Sequence, residues 1–200
     1  MVYRICRIIA RALLFALYRM EPRGASNVPA EGPVVLCSNH KNVQDPVTLA
    51  AWLNRKVYYM AKEELFRVPV LRWIIRYFGA FPVKRGGVTK ETLRTAVEIL
   101  REGNILGIFP EGTRNRTLGE GKRGAVTIAL RAGAAVVPVA LIGDYRPFSK
   151  MIVVYGEPLD LAPYAGDAEL ATKAIMDCIR EMLETGRPSS GRQRALVKEA

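Results

Sequence analysis

Short, uninterrupted apolar runs alternate along the chain with longer stretches in which apolar positions recur every three or four residues. The runs Val34–Cys37, Val57–Met60, Ala80–Val83, Ile105–Phe109, Ala135–Leu141 and Ile152–Val154 show no polar alternation, the pattern of strands covered on both faces. Helical spacing predicts helices over Val47–Leu53, Glu64–Tyr77 with an interruption at Pro69, Thr89–Arg101, Ala125–Ala132 and Ala168–Leu183. Strands that alternate with helices indicate an α/β fold, a mixed and mostly parallel sheet flanked by helices. Pro138 marks its strand as an edge or a bulge, because proline has no N–H for the ladder. The Gly- and Pro-rich residues Pro22–Pro33 read as a connector, and the basic tail Arg187–Ala200 as a frayed, disordered end. Three parts follow: an N-terminal helix over 1–22, a domain over 23–186 and the tail over 187–200.

The segment Val2–Met20 has the length of a membrane span, but Arg4, Arg7, Arg11 and Arg19 interrupt it. A charge at the bilayer centre costs at least ~2.5 kcal/mol. At about 100° per residue the arginines share an arc of roughly 120°, opposite Ile5, Ile9, Ala12, Leu13, Ala16 and Leu17. Such an amphipathic helix suits the headgroup layer of an anionic membrane, arginines on phosphates and aliphatic face in the acyl region. It predicts a peripheral, monotopic protein on the cytoplasmic face of the cell membrane. The competing reading is a helix docked on its own domain. Arginines throughout and no small-residue cleavage site argue against a secretory signal.

With 200 residues, 50% of them apolar and 24% charged, the chain has the composition of one globular domain with a sizeable core. Thirty Lys and Arg against nineteen Asp and Glu give +11, which calls for an anionic partner. Nucleic acid is disfavoured, because the basic loops lack interleaved exposed aromatics, and Phe81 and Phe109 read as buried. Cys6, Cys37 and Cys178 lie far apart in apolar surroundings and read as core residues in a reducing compartment, with neither disulfide nor Cys/His metal site expected.

Candidate chemistry centres on His40, the single histidine, with Asp45 five positions later and Pro46 directly after. The loop between a buried strand and a helix is where α/β scaffolds present reactive groups. An imidazole serves as general base near neutral pH, and a carboxylate nearby fixes its tautomer and stabilises its protonated form. Asp45–Pro46 also reads as an N-cap and first-turn proline, so Asp45 has a purely structural alternative. Two further strands end in cations: Gly79–Arg85, with Lys84 and Arg85 ahead of Gly86–Gly87, and Phe109–Arg114, followed by Arg116, Lys122 and Arg123. The guanidinium fork matches phosphate oxygens, which makes Arg85 and Arg114 candidates for a phosphate monoester. Ser38 lies near His40, but no Gly-x-Ser-x-Gly elbow supports a serine nucleophile.

Taken together, Asn39–His40 to Asp45, Gly79–Arg85, Phe109–Arg114 and Val137–Ala140 resemble the glycerolipid acyltransferase family, in particular its bacterial-type 1-acylglycerol-3-phosphate acyltransferases, over Pro33–Pro158. His40 and Asp45 match the family's His-four-residues-Asp pattern, Phe109–Arg114 its Phe-Pro-Glu-Gly-Thr-Arg motif, and Arg85 its second-motif arginine. The resemblance implies a glycerol-3-phosphate acyltransferase-like fold. It further implies transfer of a fatty acyl group from acyl-CoA or acyl carrier protein to the sn-2 hydroxyl of lysophosphatidate, giving phosphatidate, with no cofactor or metal. His40 and Asp45 would be catalytic, and Lys84, Arg85, Glu111, Gly112, Thr113 and Arg114 would bind substrate. Glu111 would orient the cations and the turn, and amides of that turn would face the oxyanion. Two departures fall where the family lines its acceptor side: Asn42 replaces a common serine, and the second motif reads Phe-Pro-Val-Lys-Arg where many members have Phe-Ile-Asp-Arg. The alternatives are transfer to another lysolipid, a membrane-surface lipid hydrolase using the same pair, and a non-catalytic basic module.

Overall fold

The computed structural model describes residues 2–83, 89–164 and 166–190. Lys84, Arg85, Gly86–Gly87 and tail residues 191–200 lie outside the described residues. The chain runs α1 (Val2–Tyr18), β1 (Glu21–Arg23), β2 (Val34–Ser38), α2 (Asp45–Ala51), β3 (Val57–Lys62), α3 (Pro69–Tyr77), β4 (Ala80–Val83), α4 (Lys90–Arg101), β5 (Ile105–Ile108), α5 (Gly124–Ala132), β6 (Ala135–Ile142), β7 (Ile152–Tyr155) and α6 (Ala168–Thr185). The described strands form one sheet in the order β1-β7-β6-β2-β5-β3-β4. β6, β2, β5, β3 and β4 are mutually parallel, while β7 runs antiparallel to β6 and β1 parallel to β7.

β2 is central and wholly buried, and its side chains divide by the two-residue period of a strand. Val35 and Cys37 pack with β5, α4, α5 and α6, whereas Val34 and Leu36 pack with Leu49 and Leu53 around α2. The chain leaves β2 for β3 on one side and leaves β5 for β6 on the other, so their helices cover opposite faces. Adjacent strands whose connections part in this way open a crevice beyond their carboxyl ends. His40 lies two residues beyond the end of β2, on that crevice.

Local signals set the helix ends. Thr89 Oγ1 accepts from Thr92 N at the start of α4, Asp167 caps α6, and Gly186 (φ 64°) closes it. Gly107 in β5 has a different cause, because a Cβ there would meet the Tyr59 ring at 2.2 Å. That ring crosses β5 and its hydroxyl donates to Pro46 O (2.7 Å).

Four readings need correction or narrowing. The connector after α1 holds a strand, β1, whose three residues pair with β7 without an apolar pattern to announce them. Pro138 lies in an interior strand rather than at an edge; its carbonyl accepts from Gly156 N (2.9 Å), and between the pairs Val139–Tyr155 and Val136–Leu159 the facing chain carries one extra residue, a bulge at which the missing N–H is tolerated. The helix after His40 begins at Asp45 with Gln44 as its N-cap, so Asp45 is no cap. The fourth concerns α1.

Arg7 and Arg11 point inward. Arg7 donates to Leu53 O (2.5 Å), and Arg11 donates twice to Ala51 O (3.1 and 2.9 Å), satisfying carbonyls at the C-terminal end of α2. Leu14, Tyr18 and Met20 join Ala51 and Met151 in a small buried cluster. The outward side carries Val2, Ile5, Ile8, Ile9, Leu13, Phe15 and Leu17, with Phe15 64% exposed. Each such side chain left in water forgoes about 1.5–3 kcal/mol of burial. No helix among the described residues is long and apolar enough to cross a membrane.

Candidate active site

Two backbone anchors fix the His40 loop. Asn39 continues the β2–β6 pairing with its side chain: Nδ2 donates to Leu141 O (3.0 Å) and Oδ1 accepts from Leu141 N (2.8 Å). From the opposite side, the loop after β5 grips His40, whose carbonyl accepts from Asn115 N (2.8 Å) and whose N–H donates to Glu111 Oε1 (3.3 Å). Glu111 is buried, and its Oε2 accepts from Asn115 Nδ2 (2.8 Å) and Gly119 N (3.0 Å). Glu111 thus locks the Phe-Pro-Glu-Gly-Thr-Arg loop to the histidine backbone.

The imidazole is oriented by Asp45. Nδ1 lies 2.8 Å from Asp45 Oδ2, which also accepts from Lys41 N (2.5 Å) and Asn42 N (2.7 Å). Oδ1 accepts from the Tyr145 hydroxyl at 2.8 Å. Asp45 is fully buried. Burial pushes its carboxyl up, but the bonds from His40, Asn42, Tyr145 and Lys41 together outweigh it and hold the group below the usual carboxylate range. An ionised Asp45 can only accept, so Nδ1 carries the proton, and in the neutral tautomer the lone pair is on Nε2. The ring stacks on Phe109 (centroids 4.0 Å apart, 18°) and keeps 17% of its side-chain surface exposed. Phe109 is half-buried rather than buried, and behind it lies Tyr59, at 6.5 Å.

Tyr145 comes from the loop after β6 and reaches Thr48 Oγ1 (2.9 Å) as well as Asp45. Burial first, and then the Asp45 charge, raise its phenol well above the ordinary value, so it remains a donor. Its ring meets Tyr18 of α1 edge-on at 5.3 Å, and the Tyr18 hydroxyl donates to Gln44 Oε1 (3.1 Å). The N-terminal helix is therefore coupled to the His40 loop.

Gly112 turns the β5 loop at φ 70°, a conformation that favours glycine, and its N–H donates to Phe109 O (2.9 Å). Thr113 and Arg114 are exposed beside this turn. Among the described residues Arg114 makes no ion pair. Asn42, one of the departures from the family pattern, accepts from Gln44 N through Oδ1 (3.1 Å) and so shapes the loop.

A family model described as Acyltransferase matches residues 19–142, more than half of the chain. The chain belongs to this acyltransferase family. As a member, the acyltransferase is similar to the 1-acyl-sn-glycerol-3-phosphate acyltransferase of Bacillus subtilis (strain 168), 34% identical over 170 residues that cover 82% of this chain and 85% of that protein. The enzyme of the same description from Borreliella burgdorferi is 30% identical over 179 residues, covering 81% of this chain and 70% of its own. The crystal structure of the 1-acyl-sn-glycerophosphate acyltransferase from Thermotoga maritima shares the fold, with a TM-score of 0.72 at 23% identity over 90% of this chain and 77% of that one.

In this acyltransferase the structure brings His40, Asp45 and Glu111 into one hydrogen-bonded unit and sets Gly112, Thr113 and Arg114 on the adjoining loop. Ser38 is buried and its hydroxyl donates to Asn39 O (3.2 Å), away from any nucleophilic role. Cys37 and Cys178 are buried, while Cys6 is half-buried. Burial alone pushes the Cys37 thiol up to about 12. Sequence reasoning missed Tyr145, Asn39 and Asn115 as parts of the site. Asn39 and Asn115 stand next to recognisable motifs, but nothing local distinguishes Tyr145 from a solvated loop tyrosine.

Proposed function

We propose that the protein is a 1-acylglycerol-3-phosphate O-acyltransferase, moving a fatty acyl group from acyl-CoA or acyl carrier protein to the sn-2 hydroxyl of lysophosphatidate. The observation that carries this reading is His40, partly exposed, with Nδ1 on a buried carboxylate and the Phe109–Arg114 loop clamped to its own backbone. The descriptions of the Bacillus and Borreliella relatives support the acceptor.

In this reading the acceptor hydroxyl donates to His40 Nε2, and its oxygen attacks the thioester carbonyl as the proton moves to the ring. Asp45 stabilises the imidazolium. The tetrahedral intermediate collapses by breaking the carbon–sulfur bond, and the thiolate takes the proton from Nε2, returning His40 to its starting state. General base catalysis contributes about 10² to 10⁴-fold, so orientation and oxyanion stabilisation supply the rest. The Gly112 N–H is already bonded to Phe109 O, so the oxyanion donors are other groups of the turn. Arg114, with Lys84 and Arg85, is assigned to the acceptor phosphate, which a guanidinium fork holds through paired charge-assisted bonds. The outward aliphatic side of α1 seats the enzyme on the cytoplasmic face of the cell membrane as a peripheral protein, where its acceptor resides.

Purified protein supplied with a panel of lysolipids and with both donor classes, products identified by mass, tests the reading. Phosphatidate formed in preference to other diacyl lipids is expected. Free fatty acid as the main product assigns the pair to hydrolysis, and another diacyl lipid moves the acceptor.

A further inference from the structure

The helix α3 lies open to solvent on all but its inner side, where Leu71 and Ile75 are half-buried. None of its nine residues is buried, although the sequence PVLRWIIRY is mostly apolar. Trp73 is 72% exposed and Val70 71%, and Leu65, Val68, Ile74, Tyr77 and Phe78 in and beside the helix are exposed too. The neighbouring amphipathic helix α4 behaves differently, burying Thr92, Ala96, Val97 and Leu100 against the sheet. A short helix with a free apolar side gains its stability from something that covers that side.

We propose that α3 is a second membrane-contact element, seated on an anionic bilayer beside α1; the inference rests on the membrane placement of α1 given above. At about 100° per residue Val70, Trp73, Ile74 and Tyr77 fall in one arc, flanked on one side by Arg72 and Arg76, with the half-buried Leu71 and Ile75 on the inner side. Trp73 and Tyr77 stack one turn apart (5.9 Å, 16°), forming an aromatic platform of the kind that sits at the headgroup boundary. Arg67, Arg72 and Arg76 are exposed around it, and α3 itself holds no acidic residue. The surface continues into α1, because the rings of Tyr3 and Phe78 lie 6.0 Å apart. A second copy of the chain is a poor occupant, since it would press Arg67, Arg72 and Arg76 against their like charges. Anionic headgroups neutralise them. Two contacts on different elements fix the enzyme's rotation on the membrane, which one helix lying in the interface leaves free.

Trp73 reports on its own seat. The chain has two tryptophans, and the other, Trp52, lies under the Arg11 guanidinium (5.3 Å). In full-length Trp52→Phe protein, vesicles of phosphatidylglycerol and phosphatidylcholine should shift Trp73 emission to the blue, and brominated acyl chains should quench it. The difference between wild type and Trp73→Phe gives the same reading where Trp52→Phe perturbs the fold. Val70→Glu with Ile74→Glu should weaken vesicle partition by about 10-fold or more, and these exposed positions leave the core untouched. Sedimentation of the full chain with vesicles while Trp73 stays unshifted and unquenched overturns the α3 contact and leaves the α1 seat standing. No sedimentation at all overturns both. A blue shift that depends on protein concentration without lipid assigns the face to a second copy and overturns the proposal.

Discussion

The Tyr145 hydroxyl donates to Asp45 Oδ1 at 2.8 Å, while the other oxygen of the same carboxylate takes the His40 Nδ1–H at 2.8 Å. A residue from the loop after β6 thereby stands behind a pair formed by the loop after β2 and the first residue of α2. Tyr145→Phe removes one donor to a buried carboxylate and keeps the ring against Tyr18. A hydrogen bond to a charged group contributes about 1.5–3 kcal/mol, and supporting groups of this kind commonly alter activity by 10-fold or more. We expect turnover to fall about 10-fold with a measurable loss of Tm. A Tyr145→Phe enzyme equal to wild type in both denies Tyr145 any part in holding Asp45.

Asp45→Asn should lower turnover by at least ~100-fold, because an amide cannot stabilise the imidazolium and can present its NH₂ to the ring. Since Gln44 occupies the cap, Asn in place of Asp45 does not spare the fold: Tm should fall at neutral pH as well. The pH dependence has a definite sign. A carboxyl held below its unfolded value, about 3.9, contributes stability fully present above that pH and lost as pH falls through the folded value beneath it. The Tm profile below about pH 4 should therefore be flatter in Asp45→Asn than in wild type. Superimposable acid limbs in thermal melts of the two proteins would show that Asp45 is not held as described.

The architecture was largely legible in the sequence, because strands buried on both faces and helices with one apolar side write their period directly into the chain. Val34–Ser38 and Ala135–Ile142 are of this kind. β1 was not legible: Glu-Pro-Arg pairs through backbone alone at a sheet edge. The pair His40 and Asp45 could be read as neighbours because a single loop joins them. Tyr145 could not, since only the folded sheet carries it to a residue one hundred positions away. The inward turn of Arg7 and Arg11 escaped for a related reason. Helical spacing places the arginines together on one side of α1 and says nothing of the free carbonyls waiting at the end of α2.

Arg114→Ala should weaken the use of a phosphate-monoester acceptor by roughly 10 to 100-fold in kcat/KM, with little change for an acceptor that lacks the phosphate. The exposed position predicts almost no change in Tm. Equal losses with both acceptors would reduce Arg114 to a support for its loop.

For α1 the two sides should separate by mutation. Arg11→Ala leaves the Ala51 carbonyl without its donor and should lower stability by about 1–2 kcal/mol, while vesicle binding of the folded fraction persists. Ile9→Glu with Leu13→Glu, both on the exposed side, should do the reverse: Tm stays and sedimentation with anionic vesicles is lost. Deleting α1 outright would confuse the two effects, since Leu14 and Tyr18 belong to a buried cluster. Loss of vesicle binding in Arg11→Ala with none in the double variant would return the arginines to the lipid side.

The stoichiometry of thiol release against phosphatidate formation bears most directly on the central claim. Purified wild-type protein is given an acyl thioester with and without lysophosphatidate, and free thiol, phosphatidate and free fatty acid are followed together. Transfer with His40 as base predicts one phosphatidate per thiol, negligible thiol release without acceptor, and loss of both products in His40→Ala. Thiol release that proceeds without lysophosphatidate and yields free fatty acid in equal amount would contradict acyl transfer and make the same site a hydrolase.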